Sequence, residues 1–330
     1  MNGRYYGWLV GSMLALGAGF GASLLLGPIT LPWSTLVHAA TNKLDADAII
    51  LREVRLPRAL LALVIGSGLG MAGAALQALL RNPLAEPGLI GISSGSALGA
   101  IVAFYSGLSA QFALGLPLGG LLGALAATLI LYRLASERVG TTGLILAGVA
   151  LNSLAGAAIV LALNLAPNPY AAYEIFFWLM GALTDRIFVH LVLAGPLIAT
   201  GVGLLASVAP RLEALALGED TASSLGVDLA QVRRRVILGT ALAVGPGVAV
   251  AGAIGFVGLV VPHLLRPWVS HRPRLLLPAS ALGGGALLLA ADTIARSVLL
   301  NGELKLGVIT AFIGAPLFLR LALKLESDRR

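Results

Sequence analysis

The chain has 330 residues, 58% of them apolar and 11% charged, with mean hydropathy +0.94. A soluble domain carries roughly a quarter charged residues, so a water-soluble fold is excluded and the main solvent is lipid. The net charge of +7 comes without a basic run interleaved with aromatics, which argues against nucleic acid as a partner, and the lack of cysteine removes disulfides, thiolate metal sites and thiol nucleophiles.

The first apolar stretch, Trp8 to Leu26, follows Arg4 and precedes Val37-His38-Ala39. A cleaved leader would show a core of about 7 to 15 residues. This stretch is longer, and the reading is a retained first crossing. Further helix-length apolar segments run over 59–80, 91–106, 114–132, 143–165, 190–208, 236–255, 275–295 and 306–323, each near the roughly 20 residues a helix needs to span the hydrocarbon core. A tenth, Gly258 to Trp268, is short and carries Pro262, His263 and Arg266. Counting it as a crossing puts both termini on the inside with 15 of the 22 basic residues, as the positive-inside rule asks. The expected fold is an all-α integral membrane protein, one transmembrane domain over 1–330.

Lys43, Arg52, Arg55, Arg58, Arg186, Arg296 and Lys305 fall outside against that bias. Gly68 to Gly73 spells G-x-G-x-x-G, but no strand precedes it and it sits inside an apolar helix, where small residues serve close helix packing. Gly17 with Gly21 and Gly119 with Gly123 read the same way. Asn82-Pro83-Leu84-Ala85-Glu86-Pro87-Gly88 breaks the chain into a rigid turn. Residues 165–189, with Pro167, Pro169 and Phe176-Phe177-Trp178, suggest a short outside helix lying in the interface. The inside block at about 210–235, between crossings six and seven, reads as short amphipathic helices on the membrane surface or as a partner's seat.

Among intramembrane polar residues, Gln77, Asn152 and Asn164 are functional suspects, with interhelical hydrogen bonding expected for at least two. Asp292 should pair with Arg296 one turn away. His263 reads as a helix-end histidine, since no second ligand lies at metal-binding spacing. No G-x-x-x-x-G-K-[ST] loop is present, so nucleotide-driven work belongs to another chain. An ion-coupled secondary transporter would want carboxylates at helix centres, and a membrane enzyme would want a nucleophile with its base or a metal cluster. Neither set is found.

The motifs Arg55-Leu56-Pro57-Arg58, Arg81 to Gly91, Leu144 to Ala150, Phe177 to Gly181, Leu217-Gly218-Glu219 with Ala222 and Leu225-Gly226, Gly252 to His263, Ala291-Asp292 and Gly307 to Pro316 follow one another in order. Together they resemble the permease subunits of type II ABC importers for iron-siderophores, haem and cobalamin, from about residue 52 to the carboxyl terminus. The resemblance implies a ten-helix permease in the bacterial inner membrane with both termini cytoplasmic. It implies a homodimer with a passage at its axis, two ATPase subunits that bind ATP and Mg, a periplasmic binding protein, and no cofactor or metal on this chain.

Residue by residue, the resemblance assigns Leu217, Gly218, Glu219, Ala222, Leu225 and Gly226 to a coupling segment entering a groove of the ATPase, against a solvated connector as the plain alternative. It assigns Arg55, Arg58 and Arg296 to docking of acidic residues on the binding protein, against anchoring at the lipid interface. It assigns Asn82, Leu84, Thr141 and Thr142 to the cytoplasmic gate, a role that helix capping by threonine can accompany. Ferric siderophore, haem and cobalamin all remain open as cargo.

Overall fold

The structure, a computed structural model, describes residues 2–41, 45–134, 140–269, 272–298 and 302–327. Lys43, Arg138, Arg329 and Arg330, counted in the charge bias, lie outside the described residues. Among the described residues there is no β-strand, and fifteen α-helices follow in chain order. They are α1 (Asn2–Leu25), α2 (Ser34–Ala40), α3 (Ala46–Ile49), α4 (Leu56–Leu79), α5 (Ile92–Tyr105), α6 (Leu108–Gln111), α7 (Gly115–Leu134) and α8 (Gly140–Asn164), then α9 (Pro169–Leu179), α10 (Phe188–Leu215), α11 (Glu219–Ser224), α12 (Leu229–Ala251), α13 (Val257–Leu265), α14 (Pro273–Ser297) and α15 (Leu306–Ser327). Six described segments are long and apolar enough to cross a membrane, and four shorter ones, Leu9–Leu25, Ile92–Tyr105, Val257–Val269 and Leu306–Arg320, complete the ten read from sequence.

Helix α4 is the axis of the bundle. It is buried along most of its length and packs on α14, α10, α12 and α13, which is why its sequence is apolar all round and lacks a polar stripe. Glycine lets the neighbours close in: a Cβ on Gly66 would lie 2.3 Å from the Gly284 carbonyl oxygen, and one on Gly70 would lie 2.0 Å from that of Ser280. In lipid, where apolar burial gives no preference for helix over tail, such backbone proximity is what makes association favourable. Helices α5 and α7 form a second pair, on Gly95, Gly99, Gly119 and Gly123. Gly17 and Gly21 depart from expectation, because nothing described lies within 4 Å of a Cβ built at either.

Three boundaries differ from those read in the sequence. Helix begins at Ala46, well before residue 59, and reaches α4 through a π-helical turn, Ile50–Arg55, that ends just before Pro57 in the first α4 turn. Proline there removes a donor at a place where the wider turn needs none. Helix α10 carries on through Pro210 to Leu215. The seventh crossing stops at Ala251, and residues 252–255 run without helix before α13 starts. Broken backbone at membrane depth is tolerated where protein or a cavity surrounds it, and here both do.

Candidate functional site

At the end of the bundle where α4 begins and α14 finishes, five charged side chains converge. The Arg58 Nε donates to Asp292 Oδ1 at 2.9 Å, and its two terminal nitrogens fork onto Glu303 at 2.8 and 2.9 Å. Arg296 Nε lies 3.6 Å from Asp292 Oδ2, the expected one-turn pair, and its NH2 donates to Ser23 Oγ at 2.7 Å. Arg55 donates to the carbonyls of Leu24 and Leu25 at 2.9 and 2.7 Å, and to that of Ile29. It thereby covers orphan acceptors at the carboxyl end of α1, where a cation also complements the helix dipole. Thr184 Oγ1 donates to Glu303 at 2.7 Å.

The structure thus brings Arg55, Arg58 and Arg296 together, as the sequence reading proposed, but at 5%, 6% and 4% exposure. Their guanidiniums are committed to partners within the chain and do not stand free at the rim. Glu303 and Thr184 went unforeseen, since neither has periodic or motif context to mark it. Burial pushes the Glu303 carboxyl up, but the Arg58 fork and charge and the Thr184 hydroxyl outweigh it and leave it below the usual carboxylate range.

At the opposite end, the turn after α4 is built by Asn82, whose Oδ1 accepts from Leu84 N–H at 2.9 Å. Asn82 and Thr142 are exposed and Leu84 is half-buried. Thr141 lies in the first turn of α8, with its side chain outside the described residues. Gln77 is buried and ties this end together. Its Nε2 reaches the carbonyls of Ala85 and Gly258 at 3.2 and 3.3 Å, and its Oε1 accepts from Arg266 at 2.6 Å. Asn152 accepts from Ser94 across the α5–α8 boundary, whereas Asn164 bonds Val160 of its own helix. His263 stands in the last turn of α13, and among the described residues no group of three or more His, Cys, Asp and Glu side chains comes together.

The coupling candidates form a small platform beside that end. Gly218 and Gly226, at φ +113° and +80°, bracket α11 in conformations that side chains rarely adopt. Glu219 and Asp220 open the helix, where acids suit the dipole. Ala222 is fully buried and anchors it, and Arg233 of α12 donates to Glu219 at 3.1 Å. Leu217 and Leu225 point away, 66% and 64% exposed. Two exposed leucines thus flank an anchored turn, an apolar surface that water penalises.

Between the two ends a cavity of about 380 Å³ is lined by the 253–256 segment, by Ser93 and Ser94 of α5, by Asn152 of α8 and by Glu86. Phe256 bounds it with φ +66°, a conformation that stores on the order of 1–3 kcal/mol in a non-glycine residue.

A helical bundle with small-residue seams, a broken helix along a half-open cavity and an exposed platform at one end fits a membrane permease, and its sequence holds no phosphate-binding loop. Residues 14–324 match the FecCD transport family, and the chain belongs to that family. It is 39% identical over 338 residues to the hemin transport system permease protein HmuU of Yersinia pestis, spanning 100% of this chain and 99% of that one. It is 45% identical over 271 residues to the vitamin B12 import system permease protein BtuC of Vibrio cholerae, spanning 81% and 80%. A metal-chelate type ABC transporter solved in an inward-facing conformation superposes with TM-score 0.85 at 34% identity, covering 96% of this chain and 98% of that one.

Proposed function

We propose that the chain is the permease of an importer that carries a bulky metal chelate, haem or a ferric siderophore, inward across the bacterial inner membrane, with ATP hydrolysed by a separate subunit. The observation that carries this reading is the family match over almost the whole chain, combined with the absence of a phosphate-binding loop. The relatives supply the cargo class: hemin and vitamin B12 are both large metal macrocycles. Cobalamin is the second reading, favoured by the 45% identity to the vitamin B12 permease.

The working unit in this reading is a homodimer with two ATPase subunits, which bind ATP and Mg, and a periplasmic binding protein. This chain holds no cofactor, and both its termini are cytoplasmic. Leu217, Gly218, Glu219, Ala222, Leu225 and Gly226 seat the ATPase, and Asn82, Leu84, Thr141 and Thr142 close the passage at the cytoplasmic end. Arg55, Arg58 and Arg296 dock the binding protein by trading part of their internal bonds for its carboxylates. The exposed, coupled states this requires must differ in contacts, and small-residue seams that repack can supply the difference.

The test is ATPase stimulation. Purified permease with its ATPase should hydrolyse ATP faster when the companion binding protein arrives loaded with haem or ferric siderophore than when it arrives empty. Stimulation by cobalamin-loaded protein alone would select the second reading, and no stimulation by any chelate would remove the first and the second together.

A further inference from the structure

We propose that the aromatic face of α9, with Lys305 at its edge, is the surface on which this permease receives its cargo, and that it takes a flat metal macrocycle with carboxylates on its rim, the chemistry of haem. The proposal rests on the reading of the chain as a chelate permease and names the cargo within it.

Helix α9 is apolar almost all round, with Glu174 its only charge. A helix of that kind needs cover on every side, and the chain covers one. Ile175 is 3% exposed, and Trp178 and Leu179 pack on the core beside it, at the spacing of one helix face. The opposite face carries Tyr170, Tyr173 and Phe177 at i, i+3 and i+7, 85%, 63% and 48% exposed, with Phe176 next to them at 48%.

Rings at a membrane surface can serve as interfacial anchors, but the seating of this helix favours the cargo's path. Leu179 lines the cavity together with Ile159 of α8 and residues 253–256. At about 3.6 residues per turn, Phe176 flanks Leu179 on the way round to the open face, so the row of rings continues from the cavity wall. The end of the helix is also fixed there. Ala182 N–H donates to the Ala251 carbonyl at 2.8 Å, and the N–H groups of Leu306 and Gly307 donate to the carbonyls of Gly181 and Met180 at 2.8 and 3.0 Å. These bonds tie α9 to the break at residues 252–255 and to the start of α15. The break is held from its far side as well, since a Cβ on Gly314 would fall 2.5 Å from Phe256 Cβ. An anchor that met only lipid would need no such seat on the broken helix.

Charge identifies the occupant. Lys305 stands with its Nζ 5.9 Å from the centre of the Phe177 ring. The acid nearest to it in sequence, Glu303, is taken by Arg58 at 2.8 Å, and among the described residues no carboxylate lies within ion-pair distance of Lys305. The surface therefore offers flat apolar rings with an unpaired cation at the rim. A porphyrin matches both features: its plane stacks on aromatic rings, and the carboxylates at its edge meet the ammonium. A ferric siderophore wraps its metal octahedrally and shows no flat face, while cobalamin carries ligands on both faces of its ring and amides at the edge.

The test titrates haem, and haem with both carboxylates esterified, into purified permease in lipid nanodiscs, following the haem absorption band against nanodiscs without protein. The parent should bind haem above the protein-free background and bind the ester about twofold to fivefold more weakly, the range of an exposed ion pair. Tyr170→Ala combined with Tyr173→Ala should weaken both ligands alike, by about fivefold or more, since two ring contacts are lost. Lys305→Gln should bind haem as weakly as the parent binds the ester and lose the distinction between the two, and Lys305→Arg should keep it. ATPase co-purification should not change in any variant, and the lysine variants decide the matter if the double alanine variant fails to insert. Haem binding no better than empty nanodiscs, unchanged affinity in the double variant, or a parent-like preference for the free acid in Lys305→Gln overturns the proposal and leaves the rings as interfacial anchors. ATP-driven uptake of a ferric siderophore or cobalamin by a parent that ignores haem also overturns it, with the permease reading intact. A parent that takes up no chelate with ATP overturns the permease reading itself.

Discussion

Arg58 and Asp292 stand 234 positions apart in the chain and meet at 2.9 Å, both almost wholly buried. The pair closes α4 onto α14 at the end where α14 finishes, and Arg296 and Glu303 complete it. Removing one partner of a buried pair leaves the other charge without compensation, a loss of about 3–5 kcal/mol. Asp292→Ala should therefore lower the melting temperature of the detergent-solubilised permease strongly, and Glu303→Gln, at a half-exposed site, should lower it less. The pH dependence has a defined sign. Glu303 titrates below its ordinary 4.5, so its contribution is full above about pH 4.5 and fades as pH falls through the lower folded value. Equal melting of parent and Asp292→Ala would contradict this account of the cluster.

Close helix contact is a second lever. A Cβ on Gly73 would lie 1.9 Å from the Gly258 carbonyl oxygen, while one on Gly17 meets nothing within 4 Å. Gly73→Ala should cost about 1–3 kcal/mol by overpacking, and Gly17→Ala should stay within about 0.5 kcal/mol, both read from melting midpoints.

Leu225 and Gly218 give a prediction about assembly. Leu225→Glu should remove an exposed apolar grip without touching the buried Ala222 anchor, and Gly218→Glu should also strain a backbone held at φ +113°. Both variants should insert normally and fail to co-purify with the ATPase. Wild-type co-purification would take the platform out of the coupling role.

Much of this was legible in the sequence. The ten crossings, the turn at Asn82, the glycine brackets at 218 and 226 and the Asp292–Arg296 pair all follow from local pattern, because apolar length, turn chemistry and one-turn spacing are written locally. What escaped was long-range: Arg58 with Glu303, Arg266 with Gln77, and Phe256 against Gly314 join residues whose spacing carries no period. The break at residues 252–255 also escaped, since an apolar, glycine-containing segment keeps its hydropathy when it leaves the helix.

Docking is checked by surface plasmon resonance with reconstituted permease and its binding protein. Affinity should fall as salt rises, and that dependence should shrink in R55A/R58A/R296A, since several positive charges that converge on one surface steer and hold an acidic partner together. Because these guanidiniums also hold α1, α4 and α14, the comparison is made on protein whose ATPase co-purification shows it folded. An unchanged affinity and salt slope would place docking elsewhere.

The central claim is that transport through this chain is powered by a partner's ATP hydrolysis. It is tested most directly by chelate uptake into proteoliposomes that hold the permease with its ATPase and loaded binding protein, with ATP present or absent and with an imposed proton or sodium gradient as the alternative drive. Accumulation with ATP, lost when the ATPase's phosphate-binding lysine is replaced and indifferent to the gradient, is the predicted result. Accumulation driven by the gradient in liposomes lacking the ATPase would contradict it.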